Sequence, residues 1–240
     1  MDIRFDELKE TLKSQERKLD VISNNLSNIN STGFKRELVF IELLRDKGKD
    51  LVSMKIVPDF REGPLEKTDN PLDFAISGRG LFAVIKSDGE ERYTRNGHFK
   101  VDEEGFLVTP TGEKVLGKSG PINVSIDGLK PGKVEVSPFG RIYVDSEYID
   151  DFKIVDFEDY SVLRKDREGF YYAGNRSGLR EVEEPHIIQG TLEASNVNPV
   201  DEMIEMITLH RHFESTQKAI KALDEQLRKT VNDVGKYKTA

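Results

Sequence analysis

The apolar residues of this chain fall into two regimes of spacing. Near the N-terminus they recur at helical intervals: with Phe5 at heptad position a, Phe5, Leu12, Leu19 and Leu26 occupy a, while Leu8, Gln15, Ile22 and Ile29 occupy d. All but Gln15 of those seam positions are apolar, the signature of a helix packed on another helix. The same interval returns near the C-terminus, where Met206, Phe213, Ile220, Leu227 and Val234 take a and Leu209, Thr216, Leu223 and Thr230 take d. Between these ends short β-rich runs alternate with turn residues. Leu81 to Ile85, Glu91 to Arg95 and His98 to Val101 are joined by Ser87-Asp88-Gly89-Glu90 and then Asn96-Gly97, and Asn-Gly between strand-like runs predicts a hairpin. Further runs follow at 106–109, 114–116, 124–126, 134–136, 141–144 and 152–157.

Start and stop signals frame both helices. Asp2 can cap the first, with Asp6 and Glu7 placed where the positive helix end favours acids. Asn30-Ser31-Thr32-Gly33 predicts its end, and Asn24, Asn25, Asn28 and Asn30 make its last turn and a half polar. Asn198 caps the second, Pro199 takes the tolerated first position, and Asp201 and Glu202 follow in the first turn. Residues 34–70, with Pro58, Gly63 and Pro64, read as an extended connector lying on a neighbour. The predicted class is α+β: residues 1–33 with 198–240 form a discontinuous terminal-helix unit, 34–70 the connector, and 71–190 an all-β domain, an antiparallel barrel or sandwich.

A stripe of two positions in seven is narrower than the face a helix usually lays on a globular core. At 1.5 Å per residue, Ile3 to Ile29 would span roughly 40 Å and Val200 to Val234 roughly 50 Å. A hairpin within one molecule or a coiled coil between molecules would satisfy such stripes, and the length of the rods favours the second. A lone helix with so narrow a stripe is marginal in water, so the ends are expected to order on docking. The amides of Asn25, Asn28 and Asn30 would then set register, because a misaligned neighbour leaves buried polar groups unpaired.

Composition narrows the chemistry. The net charge is −8 and 33 % of residues are charged, with both signs interleaved, so no basic patch offers itself to nucleic acid. Cysteine is absent, which removes thiolate nucleophiles and thiolate metal sites. The first residues lack the apolar core of a secretory signal, and no apolar run approaches a membrane span. His210 and His212 stand two apart on a helix and so point to different sides, unlike the i, i+4 pairs that hold metals. Ser77-Gly78-Arg79-Gly80 is too short for a phosphate loop and precedes a strand. No catalytic constellation, cofactor site or small-molecule substrate is expected.

The stretch from Leu19 to Arg36, LDVISNNLSNINSTGFKR, closely resembles the N-terminal signature of bacterial flagellar rod and hook proteins. Three further blocks agree in order and spacing: Gly63-Pro64-Leu65 with residues 68–76, TDNPLDFAI; Tyr93-Thr94-Arg95-Asn96-Gly97 with Phe99; and residues 190–198, GTLEASNVN, followed by Glu202-Met203 and Arg211-His212-Phe213-Glu214. Within that family the modest length, residues 115–122 and Ser195-Asn196-Val197-Asn198-Pro199-Val200 resemble the proximal rod branch most, the distal rod next and the longer hook proteins least. The segment before Leu19 departs from the family in its crowding of Glu7, Lys9, Glu10, Lys13, Glu16, Arg17 and Lys18.

The resemblance implies a structural subunit rather than an enzyme, exported without a cleaved signal through the flagellar type III apparatus into the periplasmic rod of the basal body. Its implied partners are copies of itself, other rod proteins and that export apparatus, with no nucleic acid and no membrane insertion. It also implies an inner layer of terminal helices carrying an outer β-domain. The assembly residues expected on this reading are Leu12, Leu19, Ile22, Asn24, Asn25, Leu26, Asn28, Ile29, Asn30, Gly33 and Phe34 at one end. At the other they are Ser195, Asn196, Val197, Asn198, Met206, Leu209, Phe213, Ile220, Leu223 and Leu227. A coiled-coil dimer presenting the β-domain to a ligand is the rival from another class.

Overall fold

One strand organises the β region. Leu81–Ile85 (β5) is apolar throughout, and in the computed structural model both of its faces are covered: Phe82 and Val84 enter one hydrophobic cluster while Leu81 and Ala83 enter another. That double burial is why the run lacks the polar alternation of a half-exposed strand. The model describes residues 2–46, 49–125, 132–166, 168–174 and 178–237, and the side chains of residues 2–7, 41–53, 227 and 230–237 are left aside. The fold is α+β, with one helix towards each end and strands that pair antiparallel between them.

The described chain divides into two compact units, residues 1–27 with 39–55 and 198–240, and residues 28–38 with 56–197. In the second unit Glu91–Thr94 (β6) pairs along one edge of β5, and Tyr171–Ala173 (β15) with Leu163–Lys165 (β14) extend the sheet beyond it. The other edge of β5 is shared. Val115 of Lys114–Val115 (β9) pairs with Val84, while Ile154 and Val155 of Ile154–Phe157 (β13) pair with Phe82 and Leu81. From β9 the order runs on to Leu107–Val108 (β8) and Lys100–Val101 (β7), and Leu179–Glu181 (β16) joins β13. Of the expected barrel or sandwich, the barrel is corrected: among the described residues no closed barrel forms, and β9 and β13 share one edge of β5. Val134–Val136 (β10), Arg141–Val144 (β11) and Glu147–Asp151 (β12) form a separate three-stranded sheet. Of the predicted run 124–126, Val124 is buried outside any strand, and Ile126 lies outside the described residues.

Both clusters are aromatic at their centres. Phe82 meets Phe99 and Phe152 edge to face at 5.2 and 5.5 Å, and Phe74 meets Phe152 at 5.2 Å. Tyr93 meets Phe157 at 5.3 Å on the opposite face of β5. Each such side chain contributes on the order of 1.5–3 kcal/mol from burial, plus about 0.5–1.5 kcal/mol for well-placed ring pairs.

In the first unit Asp2–Ser27 (α1) packs against Pro199–Tyr237 (α2). The helices run antiparallel: Asn25 faces Glu202, and Lys18, one heptad back along α1, faces Glu205. α1 stops at Ser27, earlier than the polar run predicts. Ser31 N–H bonds Asn28 O and Phe34 N–H bonds Ser31 O, so Asn28, Ile29 and Asn30 lie in turns. Within residues 34–70, expected to be an extended connector, Glu37–Asp46 (β1) and Lys49–Pro58 (β2) pair with each other. Paired strands satisfy the backbone groups that a bare connector would leave to a neighbour. Leu65–Lys67 (β3) and Phe74–Ser77 (β4) then pair with strands from near the other end of the second unit, Thr191–Glu193 (β18) and His186–Gln189 (β17).

Candidate functional site

Three charged side chains meet where those late strands return. Lys35 and Glu193 are each 1 % exposed and Arg95 is 4 % exposed. Lys35 Nζ donates to Glu193 Oε1 at 2.6 Å and to Arg61 O at 2.7 Å, and Gly63 N–H donates to the same Oε1 at 2.8 Å. Arg95 Nε donates to Glu193 Oε2, and its remaining nitrogens donate to the carbonyls of Gly80, Ile76 and Gly78 at 2.6–2.7 Å. One carboxylate thus accepts from three segments far apart in sequence. Burial pushes the Lys35 ammonium below the ordinary lysine range, and the Glu193 carboxylate opposes that shift. A charged group removed from water is tolerated only when its partners are complete.

The backbone around the node is equally constrained. Gly33 has φ 68, and its N–H bonds Glu193 O at 2.7 Å. A Cβ there would come within 2.4 Å of Asn96 N, so a side chain would be both strained and obstructed. At Gly63 a Cβ would stand 2.2 Å from Ala194 O. Asn196 closes the corner, accepting from Arg36 N–H at 2.7 Å and donating to the carbonyls of Asp59 and Arg61 at 2.8 and 2.9 Å. Lys165 Nζ sits 4.0 Å from the centre of the Phe34 ring, a cation–π contact. Phe60 stacks on Tyr160 at 4.2 Å, and Tyr160 donates its hydroxyl to Asp156 at 2.5 Å. Burial first, and the Asp156 carboxylate second, push the Tyr160 hydroxyl up to about 12.

The expected assembly residues divide between two environments. On α1, Leu12, Leu19 and Leu26 are half-buried, Ile22 is buried, and Asn25 is buried with its amide donating to Glu202 Oε2 at 3.3 Å. On α2, Leu209 is buried, and Met206, Phe213, Ile220 and Leu223 are half-buried at the same heptad positions; the Leu227 side chain lies outside those described. Asn24, Asn30 and Asn198 are exposed, and Asn198 Oδ1 accepts from Val200 N–H at 3.0 Å as a helix cap. Asn28 accepts a hydrogen bond from Ser31 Oγ, and Ile29 is half-buried beside it. Gly33, Phe34, Ser195 and Val197 are buried, and Asn196 half-buried, in the β unit rather than on a helical seam.

Two features escaped the pattern reading. Lys35, Arg95 and Glu193 sit inside blocks that drew attention as motifs, and the available signal was complementary charge in three blocks far apart in the chain. The other is a second face of α2: Val200, Met203, Ile204 and Ile207 are 50–60 % exposed. Their i, i+3, i+4, i+7 spacing makes one apolar stripe, roughly opposite Met206 and Leu209 at 3.6 residues per turn. Among the described residues no group of three or more His, Cys, Asp or Glu is placed to hold a metal ion, and no helix is long and apolar enough to cross a membrane.

Comparison with known proteins places these features. Three family models match: flagella basal body rod protein over residues 8–35, the flagellar hook protein FlgE/F/G D1 domain over 75–144, and the flagellar basal body rod FlgEFG protein C-terminal region over 188–233. Flagellar basal-body rod protein FlgF of Caulobacter vibrioides is 34 % identical over 92 % of this chain and 93 % of its own length. The chain belongs to the flagellar basal-body rod protein family. FlgF of Salmonella typhimurium is 33 % identical over 85 % of this chain and 87 % of its own, and FlgG of Buchnera aphidicola subsp. Schizaphis graminum is 30 % identical over 92 % and 95 %. This rod protein is a structural subunit of the flagellar basal body. Lys35, Arg95 and Glu193 fall one in each of the three matched regions, so the node joins the pieces by which the family is recognised.

Proposed function

We propose that this rod protein occupies the proximal rod in the periplasm and polymerises there through its terminal helices, transmitting torque as part of a shaft. One observation carries the reading. α1 packs against α2, yet Val200, Met203, Ile204 and Ile207 stay exposed on a second face of α2. A contiguous apolar stripe left in water marks a surface that another protein covers. A patch on one subunit that meets a different patch on the next, by an operation that does not close, builds a helical filament. Half-exposed residues of this size would each add about 1 kcal/mol per contact when covered, so cohesion comes from repetition along the shaft. The terminal helices of successive copies and of other rod proteins then form an inner coiled-coil layer. Passage through the flagellar type III apparatus as an extended chain, with no cleaved signal, accompanies this assignment by family resemblance. Placement in the proximal segment rests on residues 115–122 and 195–200.

The test is Ile204→Asp, which alters an exposed side chain. It is expected to stop incorporation into rods while the monomer keeps its circular dichroism spectrum. Normal basal bodies from that variant would overturn the role of the stripe. A tagged chain mapped away from the membrane-ring end of isolated basal bodies would move the protein to the distal rod. A discrete particle mass at every concentration, with no mixed assembly, would instead favour a dimeric binding module.

A further inference from the structure

The node has a property that assembly through the helices does not use. Its partners are separated by 158 residues between Lys35 and Glu193, 130 between Gly63 and Glu193, and 98 between Arg95 and Glu193. The strand that carries Glu193 also supplies the partner of β3, and the strand before it supplies the partner of β4. We propose that Glu193 is a closure residue: the β unit cannot complete its fold until this late carboxylate arrives, so the chain remains open until nearly all of it is present.

The physical reason lies in the two cations. Lys35 and Arg95 are buried in the finished unit, and Glu193 is the carboxylate that accepts a hydrogen bond from both. Folding around them before Glu193 arrives would hold two cations away from water without the carboxylate that bonds them both, one of the heaviest penalties available to a protein interior. The β3 and β4 edges would also lack their partners, and such long-range pairings form only after a large loop has closed. Chains emerge N-terminus first, so a unit closed by residue 193 is the opposite of one that folds as it appears. The proposal rests on the reading above that the subunit travels as an extended chain, and gives that reading a built-in cause.

The experiment uses the full-length monomer in dilute solution. In pulsed hydrogen exchange during refolding, the amides of Leu81–Ile85 and those of Thr191–Glu193 are expected to gain protection in one phase. Protection of the β5 and β6 amides in an earlier phase would overturn closure by Glu193. Glu193→Gln keeps the shape and removes the charge. It is expected to slow refolding by about tenfold while changing the unfolding rate less than about twofold, since a residue required at the barrier acts on the folding rate. Unchanged refolding with faster unfolding would assign Glu193 to stability alone and overturn the proposal. Should the variant not fold at all, the exchange measurement on the unaltered chain still decides. Because both readouts use isolated monomer, failure of the rod-assembly reading leaves them unmoved, whereas early folding in a chain that still builds rods would sink the closure role by itself.

Discussion

Among the described residues the β unit buries more charge than the helical unit. In the β unit a lysine, an arginine and a glutamate are all but inaccessible, the two cations bonded to the glutamate and to backbone carbonyls. In the helical unit Asn25 and Glu202 form a buried polar pair, and most of the described α2 side chains remain exposed. A unit whose interior is complete can fix buried ions in place, because their partners never have to come from outside. A helix pair with one narrow seam and a second apolar stripe in water has left part of its stabilisation to a neighbour. The difference separates a finished module from an element built to be finished by assembly.

Substitutions can break that contrast from either side. Phe82→Ala, at the meeting point of three rings, is expected to lower the stability of the β unit by about 3–5 kcal/mol in urea unfolding, with the helical signal of the terminal segments largely retained. A shared transition would erase the distinction between the units. Leu209→Ala, on the buried seam of α2, is expected to cost about 2 kcal/mol, seen as a fall in helix content by circular dichroism, with the β-unit amides still protected from exchange. Equal loss of protection in β5 would mean that the helices support the β unit after all.

Smaller effects sharpen the picture of the β unit. Asp145 and Ser146 take φ 48 and 74 between β11 and β12, a left-handed pair for which glycine is the relaxed occupant. Ser146→Gly is expected to raise stability by about 1 kcal/mol in thermal unfolding; a decrease would show that the serine side chain repays its strain. The Tyr160 hydroxyl, raised from 10.0 to about 12, holds its proton more tightly folded than unfolded. Its stabilising contribution is therefore whole below pH 10 and is lost as the pH climbs towards 12. Tyr160→Phe is expected to change little at neutral pH and to flatten the fall in stability over that alkaline window, with the tyrosinate absorbance near pH 12 diminished. An unchanged slope would locate the alkaline sensitivity elsewhere.

Much of this was legible in the residues. Heptad positions Ile22 and Leu209 are buried and Leu12, Leu19, Met206 and Phe213 half-buried, but Val21 and Asn25, off that line, are buried as well, as is Glu202. The hairpin expected through Asn96-Gly97 does not form: β6 pairs with β5 and β15, β7 pairs with β8, and the Gly97 carbonyl accepts from Phe74 N–H instead. Local chemistry also set the cap at Asn198 and the positive φ of Gly33. Of the barrel or sandwich expected, the barrel did not form, because periodicity tells which faces of a strand are buried and is silent on which edges are shared. The paired strands inside residues 34–70 escaped for a related reason, since Leu38 to Leu44 carries no clean alternation.

What the sequence by itself determined is the class of the molecule: two helical ends of defined register, a β-rich middle, and four motif blocks that declare a rod protein. Each of these rests on interactions within a few residues or on a one-dimensional repeat. Only the tertiary structure decided that β5 is buried on both faces and branched at one edge. It alone assembled Lys35, Gly63 and Arg95 around Glu193, and left Val200, Met203, Ile204 and Ile207 in water. A buried charge is defined by what surrounds it, and partners a hundred residues away leave no mark on the local text.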